Sequence, residues 1–216
     1  MKTILAVDTS GKNLTIALAN GKTILQNVFL ETNNRHSAIL APLIQEVLEK
    51  QNMTVDNVDC FAVCIGPGSF TGVRIGIAHV KAMAYSLEKP CIGISSLDIL
   101  AYSVKSNKNI CSMIDARNNN VYFAKYNNNV ELISKYSFDN IENVLDDCEK
   151  DAVFVGDGAI KYKDLIVEKF GEKNLSDNNN ILADNLAFLA YDKLDSLDLK
   201  DNLEKVQPMY INKLPF

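Results

Sequence analysis

Apolar and polar residues come in short blocks along the first third of the chain. Ile4 to Val7 form an apolar run that breaks at Asp8-Thr9-Ser10-Gly11-Lys12-Asn13, and alternation resumes through Leu14, Ile16 and Leu18 before Asn20-Gly21. The pattern predicts a strand, a polar turn, a second strand, a hairpin and a third strand from about Thr23 to Leu30. A polar link follows at Asn33-Asn34-Arg35-His36-Ser37, with Ser37 as a candidate helix cap, and a helix runs on to about Gln51. Its apolar residues Ile39, Leu40, Leu43, Ile44, Val47 and Leu48 cover about half the circumference, which predicts packing on two sides. Pro42 implies that the regular helix begins near Ala41 or bends there.

Phe61 to Ile65 reads as a buried strand running into Gly66-Pro67-Gly68-Ser69-Phe70-Thr71-Gly72-Val73-Arg74-Ile75-Gly76, a glycine-rich turn that opens a second helix. Free amides at such a helix start attract a phosphate or a close backbone neighbour. No Lys-Ser or Lys-Thr pair follows, which excludes a P-loop, and the glycine spacing does not fit a dinucleotide fingerprint. In helical projection Val73, Ile77, Val80, Ala84 and Leu87 make one stripe suited to a sheet, and Gly72, Gly76, His79 and Met83 make a second beside it. Each mid-helix glycine costs about 1 kcal/mol relative to alanine, so Gly72 and Gly76 imply close approach of another backbone. That backbone belongs either to the protein's own sheet or to another subunit. Lys89-Pro90 ends the helix, Cys91 to Ile94 reads as a strand, and Ser95-Ser96-Leu97-Asp98 caps a helix through about Val104.

Past the polar joint Ser106-Asn107-Lys108-Asn109 the pattern repeats. Cys111 to Ala124 lies under Ile4 to Ala17 without a gap, with Asp8 on Asp115 and Asn20 on Asn127. Val153 to Ala159, containing Gly156-Asp157-Gly158, echoes the strand and glycine turn of Ala62 to Ser69. A short acidic helix is expected around 141–150 and a last helix from about Leu182 to Leu194. The shared aspartate, turn and hairpin favour internal duplication. Two such lobes describe an α/β fold of the actin-like ATPase type (ASKHA, ribonuclease H-like), made of two duplicated mixed-sheet lobes. The first lobe is assigned to residues 1–104 and the second, smaller one to 105–205, with the tail 206–216 returning to the first. In that layout Asp8, Thr9, Ser10, Gly66, Gly68, Asp115, Gly156 and Gly158 line a candidate nucleotide cleft. The plainer alternative is that Asp8 and Asp115 brace polar turns.

Composition narrows this picture. Net charge is -5, from 22 Lys and Arg against 27 Asp and Glu, so RNA contact is expected only when shared with a partner. The five cysteines include no C-x-x-C pair and read as buried free thiols. An acidic residue at position 8 interrupts any signal-peptide core, and no apolar run is long enough to span a membrane, so a cytoplasmic location is expected.

Ile4 to Ser10, the motif Gly66 to Gly76, Gly93-Ile94-Ser95-Ser96-Leu97-Asp98 and Asp115-Ala116-Arg117 together resemble the TsaB (YeaZ) family, with thinner support from Gly156-Asp157-Gly158-Ala159 and Pro208-Met209-Tyr210-Ile211. The resemblance implies a non-catalytic subunit in threonylcarbamoylation of adenosine 37 in tRNAs reading codons that start with A. It implies pairing with the paralogue TsaD and with the ATPase TsaE, a homodimer when alone, and tRNA contact only through the complex. The paralogue carries a His-x-x-x-His metal pair where this chain has Ser96 and Leu100, neither of which replaces imidazole. No metal or cofactor is therefore expected in this chain, with ATP and Mg²⁺ confined to the complex. His36 and His79 share no ligand spacing. By the same resemblance the first two helices carry the partner interface, assigned to Ile39, Leu43, Gly72, Gly76, His79 and Met83. The rival readings are a stand-alone enzyme, either an actin-like ATPase or a metallo-glycoprotease, and a self-associating regulatory module.

Overall fold

A computed structural model describes residues 1–32, 35–194 and 202–211. Asn33 and Asn34 of the polar link, and residues 212–216 of the tail, lie outside the described residues. The chain forms two compact units, one of Met1–Ser96 with Ile181–Met209, the other of Leu97–Asn180 with Tyr210 and Ile211.

The first unit is built on a five-stranded sheet. Strands β1 (Thr3–Asp8), β2 (Asn13–Asn20), β3 (Thr23–Glu31), β4 (Cys60–Cys64) and β5 (Cys91–Ile94) lie in the order β3-β2-β1-β4-β5. β1 runs antiparallel to β2 and parallel to β4. Every residue of β1 is buried, which explains why it reads as an unbroken apolar run rather than an alternating one. One face, carrying Leu5, Val7, Phe61 and Val63, packs against helices α1 (His36–Glu49) and α2 (Phe70–Ser86) through Leu40, Ile44, Val73, Ile77 and Val80. The other face carries Thr15, whose hydroxyl donates to the Ile181 carbonyl at 3.4 Å. The late helix α7 (Ala183–Leu194) packs there against β1 and β2, burying Ala183, Leu186, Ala187 and Ala190.

Three expectations change. Helix α1 starts at His36 and runs unbroken through Pro42, whose exposed position lets the carbonyl it leaves unpaired reach water. Ser37 therefore lies inside the helix rather than capping it, and the buried His36 ring pins the first turn against the Thr32 hydroxyl and the Asn13 carbonyl. The assignment of residues 105–205 to one lobe also fails, because α7 completes the apolar layer of the first sheet and the unit boundary falls after Ser96, within the first turn of α3 (Ser96–Tyr102). In the tail, α8 (Asn202–Lys205) leads to Val206, buried in the first core, and the Met209 amide donates to the Ile65 carbonyl at 2.8 Å.

The second unit repeats the topology with four strands, β6 (Ile110–Asp115), β7 (Asn120–Tyr126), β8 (Ser137–Asn140) and β9 (Val153–Val155), in the order β8-β7-β6-β9. Helix α4 (Ile141–Asp146) precedes β9, and α5 (Asp157–Lys161) and α6 (Lys163–Phe170) follow it. The repeat is real in topology but not in the gapless register. The helix-facing residues of β6 are Cys111 and Met113, whereas the gapless superposition on Leu5 and Val7 would make them Ser112 and Ile114. A slip of one residue turns every side chain to the other face of a strand. The cause lies in the β6–β7 hairpin: Asp8 pairs with Thr15 but Asp115 with Val121, a tighter turn made by Arg117, Asn118 and Asn119, all at positive φ.

Candidate functional site

The exposed side of α1 and α2 carries two apolar hollows that share a rim. One, of about 450 Å³, lies between Ile44 and Leu48 of α1, the Met53-Val55 segment, and His79 and Met83 of α2. The other, of about 440 Å³, is lined by Ala78, His79, Ala82, Met83 and Ser86. His79 and Met83 belong to both. Small residues at 78 and 82, one turn apart, keep the second hollow shallow and open to a partner. Ile39 and Leu43 are half-buried and pack on the core at the margin of this face. Tyr85 stands 77% exposed at its far end.

Gly72 and Gly76 do not belong to that face. Both are buried, and a Cβ on Gly72 would run into the Thr9 carbonyl oxygen, while one on Gly76 would lie 2.5 Å from the Thr9 hydroxyl. The backbone that their spacing anticipates is the turn after β1, in the same unit. Their assignment to a partner interface is thus corrected: the stripe splits, its first half facing inward and its second half, His79 and Met83, facing the hollows.

The same packing decides what the glycine turn can bind. The Ser69 amide donates to the Ser10 carbonyl at 2.6 Å, the Gly72 amide to the Ser69 side chain at 3.2 Å, and the Thr9 hydroxyl to the Gly72 carbonyl at 2.7 Å. A Cβ on Gly68 would sit 2.5 Å from the Ser10 carbonyl oxygen. Gly66, at φ 90° and followed by a cis peptide bond to Pro67, accepts from the Ser96 amide, and the Ser96 hydroxyl donates to the Pro67 carbonyl at 2.6 Å. The Ser69 and Gly72 amides are thus bonded within the chain, and Ser96 fastens the turn.

Asp8 is 2% exposed, and burial raises its pKa above the ordinary carboxylate value despite bonds from the Ser10 hydroxyl and amide. The Ser10 amide lies 2.9 Å from its Oδ1. Asp115 makes the same bond to the Arg117 amide, also at 2.9 Å, but it is half-exposed and receives the Tyr162 hydroxyl at 3.4 Å. The two aspartates brace their turns alike while pointing to opposite faces of their sheets, as the slipped register requires. Gly156, at φ 112°, and Gly158 press against the Met113 backbone, and Asp157 accepts from the Asp115 amide at 3.0 Å. That second glycine turn is also filled from within its unit.

Sequence reading named Ile39 and Leu43 for the α1 side of this face, whereas Ile44 and Leu48 line the hollow. It also missed the half-buried cluster in which the Tyr126 and Tyr136 hydroxyls donate to Asp98 at 2.7 and 2.8 Å. Beside the projected stripe with His79 and Met83, the spacing of four between Ala78 and Ala82 is a further signal for the open half of α2. Among the described residues no three His, Cys, Asp or Glu side chains stand together as a metal site, and no helix is long and apolar enough to cross a membrane.

Residues 23–194 match the family model of TsaD, tRNA N6-adenosine threonylcarbamoyltransferase. The chain is 30% identical over 226 aligned residues to the tRNA threonylcarbamoyladenosine biosynthesis protein TsaB of Buchnera aphidicola, covering 99% of each chain. The structure is similar to YeaZ from Pseudomonas aeruginosa, with a TM-score of 0.82 and 27% identity over 97% of this chain and 100% of that one. It also resembles component A of (R)-2-hydroxyglutaryl-CoA dehydratase from Acidaminococcus fermentans at a TM-score of 0.55 and 13% identity, covering 90% of this chain and 100% of that one, a likeness of fold alone. The fold is of the actin-like ATPase class.

Proposed function

Because the chain belongs to the TsaB (YeaZ) family, we propose that it acts in tRNA threonylcarbamoyladenosine biosynthesis as a non-catalytic subunit. It pairs with TsaD through the open face of α1 and α2, and with itself when TsaD is absent. The complex, joined by TsaE, carries the threonylcarbamoyl group to N6 of adenosine 37 in tRNAs reading codons that start with A, in the cytoplasm. ATP, Mg²⁺ and tRNA are handled by the complex rather than by this chain.

The observation that carries this reading is the pair of adjoining hollows rimmed by His79 and Met83, on a helix whose inner face is already committed to the protein's own sheet. An apolar, concave helix pair suits the helix face of a partner. The filled glycine turns weigh against a stand-alone ATPase, since the Ser69 and Gly72 amides are already bonded within the chain. Reconstitution of the tRNA modification from TsaD and TsaE, with and without this chain, tests the proposal. Modification should fall to background without it; modification at the full rate in its absence overturns the role.

A further inference from the structure

The second unit holds a polar hollow of about 380 Å³ lined by three lysines, Lys105, Lys108 and Lys173, and by Ser106, Ser176 and Asn178. Two segments make its walls. One is the link 103–109 between α3 and β6, closed on itself by the Ser103 hydroxyl on the Leu100 carbonyl at 2.7 Å and the Lys108 amide on the Ser106 hydroxyl at 3.1 Å. The other is the segment after α6, fixed to the edge of β9 where the Ser176 amide donates to the Phe154 carbonyl at 2.9 Å. Asn174, fully buried, adds a bond from its side-chain amide to the Ala152 carbonyl at 2.8 Å. Both walls are thus held before any ligand arrives, which lowers the ordering cost of binding.

Among the described residues none of the three lysines has an ion-pair partner, although the chain carries more acidic than basic residues. The one carboxylate in the lining, among the described residues, is that of the exposed Asp177. Three lysines lining one concave surface favour a compact anion of several charges. Among the described residues no aromatic side chain lines the hollow to stack on a base, and its volume lies in the range of small-ligand sites. We propose that this hollow binds a compact polyphosphate group, with Lys105, Lys108 and Lys173 as its counter-charges. The proposal is independent of the subunit role described above.

Titration calorimetry of the full chain with inorganic tripolyphosphate at low ionic strength tests it. Each of Lys105→Gln, Lys108→Gln and Lys173→Gln should weaken binding about three- to tenfold, and the triple variant should abolish it. Asp177→Asn should tighten binding about twofold by removing the opposing charge. Lys135→Gln and Lys150→Gln, which change net charge equally outside the hollow, should leave affinity unaltered; loss equal to that of the hollow variants overturns the proposal. Absence of binding by the folded wild-type chain also overturns it. So does a hairpin RNA that binds more tightly than tripolyphosphate through the same lysines, because the site would then belong to an RNA backbone.

Discussion

The inward-facing glycines of α2 make a prediction that separates backbone from side-chain packing. In Gly72→Ala the new methyl meets the carbonyl oxygen of Thr9, an atom of the turn that closes β1 and cannot rotate away. Overpacking of this kind costs about 3 kcal/mol, offset by about 1 kcal/mol from replacing a mid-helix glycine with alanine. The net loss of about 2 kcal/mol should lower the melting temperature by about 4–8 °C for a chain of this size. In Gly76→Ala the methyl meets the Thr9 hydroxyl instead, which can turn aside by giving up its 2.7 Å bond to the Gly72 carbonyl. That bond is worth about 1 kcal/mol, close to the helix gain, so Gly76→Ala should be nearly neutral. The decisive measurement is the cycle with Thr9→Ala, followed by circular dichroism on heating and in urea. Without the hydroxyl, the next atom of Thr9 is its Cβ at 3.7 Å, an ordinary contact, so Gly76→Ala should stabilise the Thr9→Ala protein by about 1 kcal/mol. Gly72→Ala should stay as damaging as before. A Gly72→Ala protein as stable as wild type, or one rescued by Thr9→Ala as fully as Gly76→Ala, would refute the packing described here.

Other consequences are open to direct measurement. Met83→Glu puts a charge in both apolar hollows and should reduce co-purification with TsaD about tenfold or more while leaving the melting temperature within about 2 °C; undiminished pairing would place the interface elsewhere. Asp8 has a raised pKa through burial, so the folded chain holds that proton more tightly than the unfolded one. Its contribution is most favourable below the unfolded pKa and is lost as pH rises through the folded one. Asp8→Asn keeps an acceptor for the Ser10 amide and should therefore raise the melting temperature at pH 7–8, with the advantage shrinking on acidification; a lower melting temperature at neutral pH would show that the carboxylate is stabilising. Among the cysteines, burial pushes Cys60 and Cys91 up to about 12, and Cys64 well above its usual value. The Cys148 thiol is held low by its hydrogen bond with Cys111 and by Lys125 and Lys169 nearby. Iodoacetamide at pH 7.5 should alkylate Cys148 first in peptide mass mapping, and equal labelling of all five would contradict that arrangement.

The repeated strand, turn and hairpin were legible because Asp8 and Asp115 each punctuate an apolar run at the same place. The one-residue slip between the repeats was not, since it depends on three successive positive-φ residues closing the second hairpin, which the asparagines hint at but do not specify. Helical projection found the stripe on α2 that contains His79 and Met83. It could not divide that stripe, because the neighbour that claims Gly72 and Gly76 is Thr9, more than sixty residues earlier in the chain. The filling of the glycine turn was hidden for the same reason: a motif that presents amides looks alike whether a phosphate or a carbonyl such as that of Ser10 accepts them. Helix α7 was legible as a helix but not as part of the first unit, since its alanine-rich face matches the small residues of β1 and β2 only once the sheet is formed.

That placement of α7 has a consequence for synthesis. The first sheet is encoded within residues 3–94, but one of its faces is covered by a helix that leaves the ribosome only after residues 97–180 of the second unit have been made. At ordinary elongation rates of about 5–20 residues per second the uncovered face waits on the order of ten seconds. During that interval the nascent chain displays an apolar sheet surface around Ile4, Ala6, Ala17 and Ala19, all fully buried in the finished protein. The second unit can fold in the meantime as an insertion, and the first closes last, so a chain cut short before Ile181 would leave the ribosome with its oldest strands still bare.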